Sequence, residues 1–292
     1  MSAVVDVLWR SHVQVVGNPD GPVLVMAHGF GCDQQMWSRL VPAFSDVYRV
    51  VLFDLVGAGR SDVGAYDPVK YSSLDGYAAD LVELCEAMGL NEVLVVAHSV
   101  SAMIALTAAV ERPDLFSRLV LVAPSPCYVD DPVTGYVGGF SREDVEELLQ
   151  SLENNYFAWA AAMAPMVMGV PDAPELGEEL RASFCSTDPR IARDFARVTF
   201  LSDSRSLLPR VSTPCLVLQC SDDALAPPEV GTYLHQQLHG SALVRLRASG
   251  HCPHVSAPEE TAAAIHRYLL GSPAAAPPTA TPPTVAPPTA AP

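Results

Sequence analysis

The chain has 292 residues, 49% of them hydrophobic, which suits one large single-core domain. Its 17 basic and 33 acidic residues give a formal net charge of −16. No Lys/Arg cluster interrupts that balance, which argues against nucleic acid and anionic membrane surfaces as partners.

No apolar run approaches the roughly 18 residues of a spanning helix. The opening MSAVVDVLWR lacks the basic start, long apolar centre and small-residue cleavage site of a signal peptide. The expectation is a soluble, cytoplasmic protein.

In chain order, weak strands are predicted near Val4 to Leu8 and Val13 to Val16, as an antiparallel start. Near-continuous apolar runs follow at Val23 to Ala27, Val50 to Phe53, Val93 to Ala97, Leu119 to Val122 and Leu216 to Leu218. Runs apolar on both faces suit a parallel sheet covered by helices on either side. Leu243 to Leu246 alternates like a late strand.

Between them, Leu74, Tyr77, Ala78, Leu81, Leu84, Cys85 and Met88 form a helical stripe, with Ser72 or Ser73 to cap its start and Gly89 to end it. Further helices are predicted from Ser99 to before Pro113, around Val230 to Leu238, and around Glu259 to Leu269. Strand alternating with helix argues an α/β fold.

Residues 124 to about 210 break the rhythm. Pro124 to Gly139 is turn-rich. Ser141-Arg142-Glu143-Asp144 then opens a helix with acids in its first turn, and Asp188-Pro189 opens another. This stretch reads as a helical insertion, a lid over the end of the sheet. Residues 272–292 contain little but Pro, Ala and Thr and read as an extended tail or linker outside the 1–271 domain.

Seven scattered cysteines without a C-x-x-C pair read as reduced buried thiols. His251-Cys252-Pro253-His254 is too compressed for a tetrahedral metal site.

The chemistry-bearing pattern starts at Ala97-His98-Ser99-Val100-Ser101. A strand ends on a lone hydroxyl between small residues and a helix-forming stretch follows, as in a nucleophile elbow. The usual elbow has Gly where Ala97 and Ser101 stand. A Ser hydroxyl needs a base, and the base an orienting acid. Asp222-Asp223 follows the strand ending at Gln219, and Gly250-His251 follows the late strand, giving the order Ser, Asp, His. His28-Gly29-Phe30-Gly31, after the first strong strand, can turn backbone N–H groups toward a developing oxyanion, with Phe30 and Val100 as the expected donors. No Lys follows these glycines, which argues against a phosphate loop. Asp54 to Asp62 reads as a structural turn.

The segments HGFGCDQQMW, FDLVGAGRSD, LDGYAADL, AHSVSAMIAL, PSPCYVDD, NYFAWA, FCSTDPRIAR, LQCSDDALAP and GHCPHVSAPEET closely resemble the RsbQ-type α/β hydrolases, bacterial regulators of the general stress response. The plant strigolactone and karrikin receptors are similar. The resemblance runs from about residue 10 to 270 and implies an α/β-hydrolase fold with a four-helix lid. It implies Ser99 as nucleophile, His251 as base, Asp223 rather than Asp222 as the acid, and Phe30 and Val100 as oxyanion donors. It also implies an apolar pocket lined by His98, Tyr128, Phe140, Trp159, Phe195 and Phe200.

The chemistry expected from it is hydrolysis of a small, mostly apolar ester, lactone or similar compound. An Asp at the elbow would instead have marked a dehalogenase or epoxide hydrolase. The other expectation is a ligand-sensing protein whose lid binds a partner with a sensory domain and a phosphatase. No metal or organic cofactor is implied.

Overall fold

The computed structural model describes residues 3–271; the extended tail expected for 272–292 lies outside that range. The elements run α1 (Ala3–Arg10), β1 (Gln14–Gly17), β2 (Val23–Ala27), β3 (Arg49–Leu52), α2 (Leu74–Ala87), β4 (Val93–His98), α3 (Val100–Glu111) and β5 (Phe116–Val122). Four helices follow: α4 (Arg142–Asn154), α5 (Tyr156–Met168), α6 (Pro174–Ser186) and α7 (Pro189–Leu201). The chain then returns to β6 (Cys215–Gln219), α8 (Pro228–Gln237), β7 (Ala242–Arg245), the one-turn α9 (Pro253–Ser256) and α10 (Pro258–Leu270).

The strands make one seven-stranded sheet in the order β1-β3-β2-β4-β5-β6-β7. Only β1, antiparallel to β3, departs from parallel pairing. The period-2 alternation of a strand sorts its side chains between two cores. Val25, Ala27, Val95, Ala97, Leu119 and Leu121 pack beneath α2, α3 and α8. Leu24, Met26, Val96, Val120, Leu216 and Leu218 pack against Trp37, Leu40, Phe44 and Ile265 of α10. Both faces are covered, which is why these strands read as unbroken apolar runs.

Helix boundaries follow their caps. Ser73 accepts the Asp75 N–H at the start of α2. Ser141 and Asp144 form a reciprocal capping box on α4. Asp188 accepts the Arg190 N–H, with Pro189 in the first turn of α7. The four helices from α4 to α7 enclose a third core with Cys32, Leu225 and Cys252 over the carboxyl ends of the strands.

One expectation fails. Val4 to Leu8 lies in α1, not in a strand. Val7 and Ser11, one helical turn apart, are both buried, while Trp9 is exposed, and Arg10 pairs with Asp80 and Glu83 of α2. That is spacing by turns, not alternation.

Candidate active site

The strand order reverses about β2, whose neighbours β3 and β4 lie on opposite sides. Loops leaving β2 and β4 at their carboxyl ends therefore diverge and open a crevice. Ser99 occupies the end of β4.

Its backbone sits at φ 56, ψ −123, a sparsely populated conformation that costs a non-glycine residue of order 1–3 kcal/mol. The surroundings hold it there. Its N–H donates to the Val122 carbonyl at 2.9 Å, and its carbonyl accepts the Ala102 N–H at 2.9 Å. Ala97 pairs with Ala27 of β2, leaving room for the bend. Ser101, where glycine is usual, is fully buried and donates its hydroxyl to the His28 carbonyl, tying α3 to the loop after β2.

His251 Nε2 lies 2.8 Å from Ser99 Oγ. His251 Nδ1 lies 2.8 and 3.0 Å from the two carboxylate oxygens of Asp223. Since the carboxylate only accepts, Nδ1 carries the proton and Nε2 is free to accept from the serine hydroxyl. Asp223 Oδ1 also accepts the Leu225 N–H at 2.9 Å and the Ala226 N–H at 3.2 Å. Its neighbour Asp222 is exposed and uses its backbone carbonyl on the Gly250 N–H at 2.7 Å. Of the two acids, Asp223 is the one on the imidazole.

The backbone of His251 is held from both sides. Its N–H donates to Val167 of α5 at 2.8 Å, and its carbonyl accepts from His98 Nε2 at 2.9 Å. The ring of His254 lies 4.5 Å from those of both His98 and Trp37. Burial, reinforced by the neighbouring imidazoles, holds His98 well below the usual histidine range and pushes His254 down to about 3. Both are neutral at physiological pH.

The amides of Phe30 and Val100 have no acceptor among the described residues. His28 fixes the loop before Phe30, donating Nδ1–H to the Gly29 carbonyl at 2.9 Å and accepting the Leu55 N–H at 3.0 Å. Gly31 is at φ 68, and a Cβ there would fall 2.2 Å from the Phe184 ring. The turn from Asp54 is structural, as expected: its buried carboxylate accepts the amides of Gln34 and Arg60, each at 2.8 Å.

Above Ser99 lies a cavity of about 30 Å³, lined by Phe30, Cys32, His98, Tyr128, Trp159, Met163, Val167, Leu180, Phe184, Thr199, Phe200, Leu225, His251 and Cys252. Burial pushes the Tyr128 hydroxyl up to about 12, so it stays protonated.

Phe140 and Phe195, expected here, line no part of it. Phe195 packs 4.6 Å from the Tyr77 ring and 5.6 Å from the Phe30 ring, behind the wall. Phe140 pairs by its backbone with Tyr128 and Asp130 and is only half-buried. Sequence reading missed Met163, Val167, Leu180, Phe184 and Thr199. A signal was present: Trp159, Met163 and Val167 recur every four residues along α5, as Leu180 and Phe184 do on α6.

Residues 24–264 match the profile described as "Alpha/beta hydrolase family". The chain is 38% identical over 265 residues to "Strigolactone esterase D14" of Arabidopsis thaliana, covering 90% of this chain and 98% of that protein. It is 39% identical over 259 residues to "Karrikin insensitive 2 receptor CA" of Petunia hybrida, covering 88% of this chain and 95% of that protein. Among solved structures, a hydrolase from Oleispira antarctica superposes with a TM-score of 0.89 at 40% identity, covering 92% of this chain and 98% of that one.

Proposed function

The chain belongs to the Alpha/beta hydrolase family, and on that premise we propose that it is a serine hydrolase of a small, mostly apolar ester or lactone. The observation that carries this reading is the continuous relay from Ser99 Oγ through His251 to Asp223, with both links at 2.8 Å. Ser99 attacks the carbonyl carbon as His251 Nε2 takes its proton. Asp223 holds the imidazole in the required tautomer and stabilises the imidazolium. The Phe30 and Val100 amides bind the oxyanion of the tetrahedral intermediate. His251 then returns its proton to the leaving alkoxide, and water repeats the cycle on the acyl-enzyme.

The test is hydrolysis of 4-nitrophenyl acetate by the protein and by Ser99→Ala, together with intact mass after a serine-reactive phosphonate. A single adduct that vanishes with Ser99, along with the activity, is the expected result. Equal activity in Ser99→Ala overturns the reading.

A second reading adds signalling to the same chemistry. Two observations favour it: a relative is named a receptor, and the base is bonded to lid helix α5 through Val167. Occupation of the cavity would then move the lid surface, which in an RsbQ-like stress-response regulator engages a sensory-domain phosphatase. Ligand-dependent binding of such a partner, lost in Ser99→Ala, supports it. Binding indifferent to ligand removes it.

A further inference from the structure

Thr199 on α7 is fully buried and lines the cavity above Ser99, among side chains that are mostly apolar. Its Oγ1 has no hydrogen-bond partner among the described residues. Threonine inside a helix commonly returns its hydroxyl to the carbonyl four residues back. Two other helical threonines here do so: Thr232 bonds the Pro228 carbonyl at 3.0 Å and Thr261 the Ala257 carbonyl at 2.9 Å. Thr199 does not reach the carbonyl of Phe195. Its own carbonyl is taken by Ser202 Oγ at 2.9 Å, so the helix is satisfied around a hydroxyl that is not. A buried unpaired hydroxyl is a net cost that valine, of the same shape, would avoid.

We propose that Thr199 is a specificity-determining residue that donates its hydroxyl to a second oxygen of the substrate, an ether or carbonyl oxygen separate from the ester being cleaved. The inference rests on the hydrolytic reading above and narrows its substrate class to oxygenated esters or lactones. A substrate oxygen that reaches this hydroxyl supplies the bond it lacks. An all-carbon chain cannot. Discrimination of this kind arises because the unsatisfied group belongs to the enzyme and is already buried.

Two isosteric pairs test it: 4-nitrophenyl methoxyacetate against 4-nitrophenyl butanoate on the acyl side, and 2-methoxyethyl acetate against butyl acetate on the alcohol side. Each is measured with the full chain and with Thr199→Val. The ratio of kcat/KM within a pair, compared between the two proteins, cancels intrinsic ester reactivity. In Thr199→Val the ether-to-alkyl ratio should fall about five- to tenfold in one pair. Ratios that agree within twofold in both pairs overturn the assignment, while Ser99-dependent hydrolysis leaves the hydrolytic reading intact. Absence of Ser99-dependent hydrolysis of all four esters overturns both. Thermal unfolding is a separate check. An unpaired hydroxyl replaced by a methyl should leave the melting temperature unchanged or raised, and a drop of several degrees shows a bond within the protein and removes the proposal.

Discussion

His98 donates its Nε2–H to the carbonyl of His251 across 2.9 Å, so the residue before Ser99 holds the backbone of His251. The donor must be Nε2–H because a carbonyl only accepts, which leaves His98 Nδ1 unprotonated against Gly29, with no partner among the described residues. His98→Phe keeps the ring and removes this donor. The buried carbonyl left behind loses about 1–3 kcal/mol, and the loop carrying His251 is freed. We expect kcat to fall about tenfold with KM little changed. Steady-state kinetics check it, and a variant whose loss lies wholly in KM counts against the positioning role.

Asp223→Asn tests the orientation of the His251 ring separately. The carboxylate accepts from His251 Nδ1 and from the amides of Leu225 and Ala226. An amide oxygen retained toward Leu225 and Ala226 presents an NH₂ to the imidazole and selects the wrong tautomer. The expected loss in kcat is about 10³–10⁴, with Asp222→Asn near wild type because that side chain is exposed. Comparable losses in both variants would remove the distinction between the two acids.

These two positions show what the sequence discloses and what it withholds. Ser99, Asp223 and His251 each follow an apolar strand, and chain order plus strand ends bring them together without knowledge of any side-chain angle. The parallel strands were equally legible because both faces are buried. Val4 to Leu8 was not: adjacent apolar residues fit a strand or a buried helix, and the deciding partner, Asp80 with Glu83, lies some 70 residues away. Phe195 shows the same limit in the lid. Its helix periodicity was clear, but whether it met the cavity or Tyr77 depended on how deeply α7 sits against α2.

Buried histidines set the acid stability. His254 is fully buried, neither ring nitrogen has a partner among the described residues, and burial pushes it down to about 3. In the unfolded chain it titrates near 6.5. Above that pH neither state is charged and it contributes no pH dependence. As pH falls from about 6.5 toward 3, the unfolded chain binds a proton that the fold refuses, and stability drops at about 1.4 kcal/mol per pH unit. His98 and His28, both lowered by burial, add to the loss in the same direction. Carboxylates held low by hydrogen bonds and ion pairs, such as Asp131, lowered by Thr134 and then Arg205 to about 2, begin to contribute only below about pH 4. His254→Phe, which preserves the ring between Trp37 and His98, should therefore move the acid-unfolding midpoint to lower pH. Tryptophan fluorescence between pH 7 and pH 3 reads it, and an unmoved midpoint would assign acid unfolding to other groups.

Finally, the loop bearing His251 is pressed against α5 at Gly250. This residue has φ 80, and a Cβ there would lie 1.9 Å from the backbone carbonyl oxygen of Met168 at the end of α5. Ser249 Oγ and the His251 N–H bond the neighbouring carbonyls of Gly169 and Val167 at 3.0 and 2.8 Å. Gly250→Ala must therefore push the loop and α5 apart, and with them His251 and the cavity wall at Val167. Gly240→Ala is the control. It has a similar φ of 69 and open space around the Cβ, so it carries only the left-handed backbone penalty of about 1–2 kcal/mol. We expect Gly240→Ala to lower the melting temperature slightly at full activity. Gly250→Ala should lose more stability and at least tenfold in the rate of phosphonate labelling of Ser99. Equal labelling rates in the two variants would mean that α5 can separate from the loop bearing His251 without disturbing Ser99.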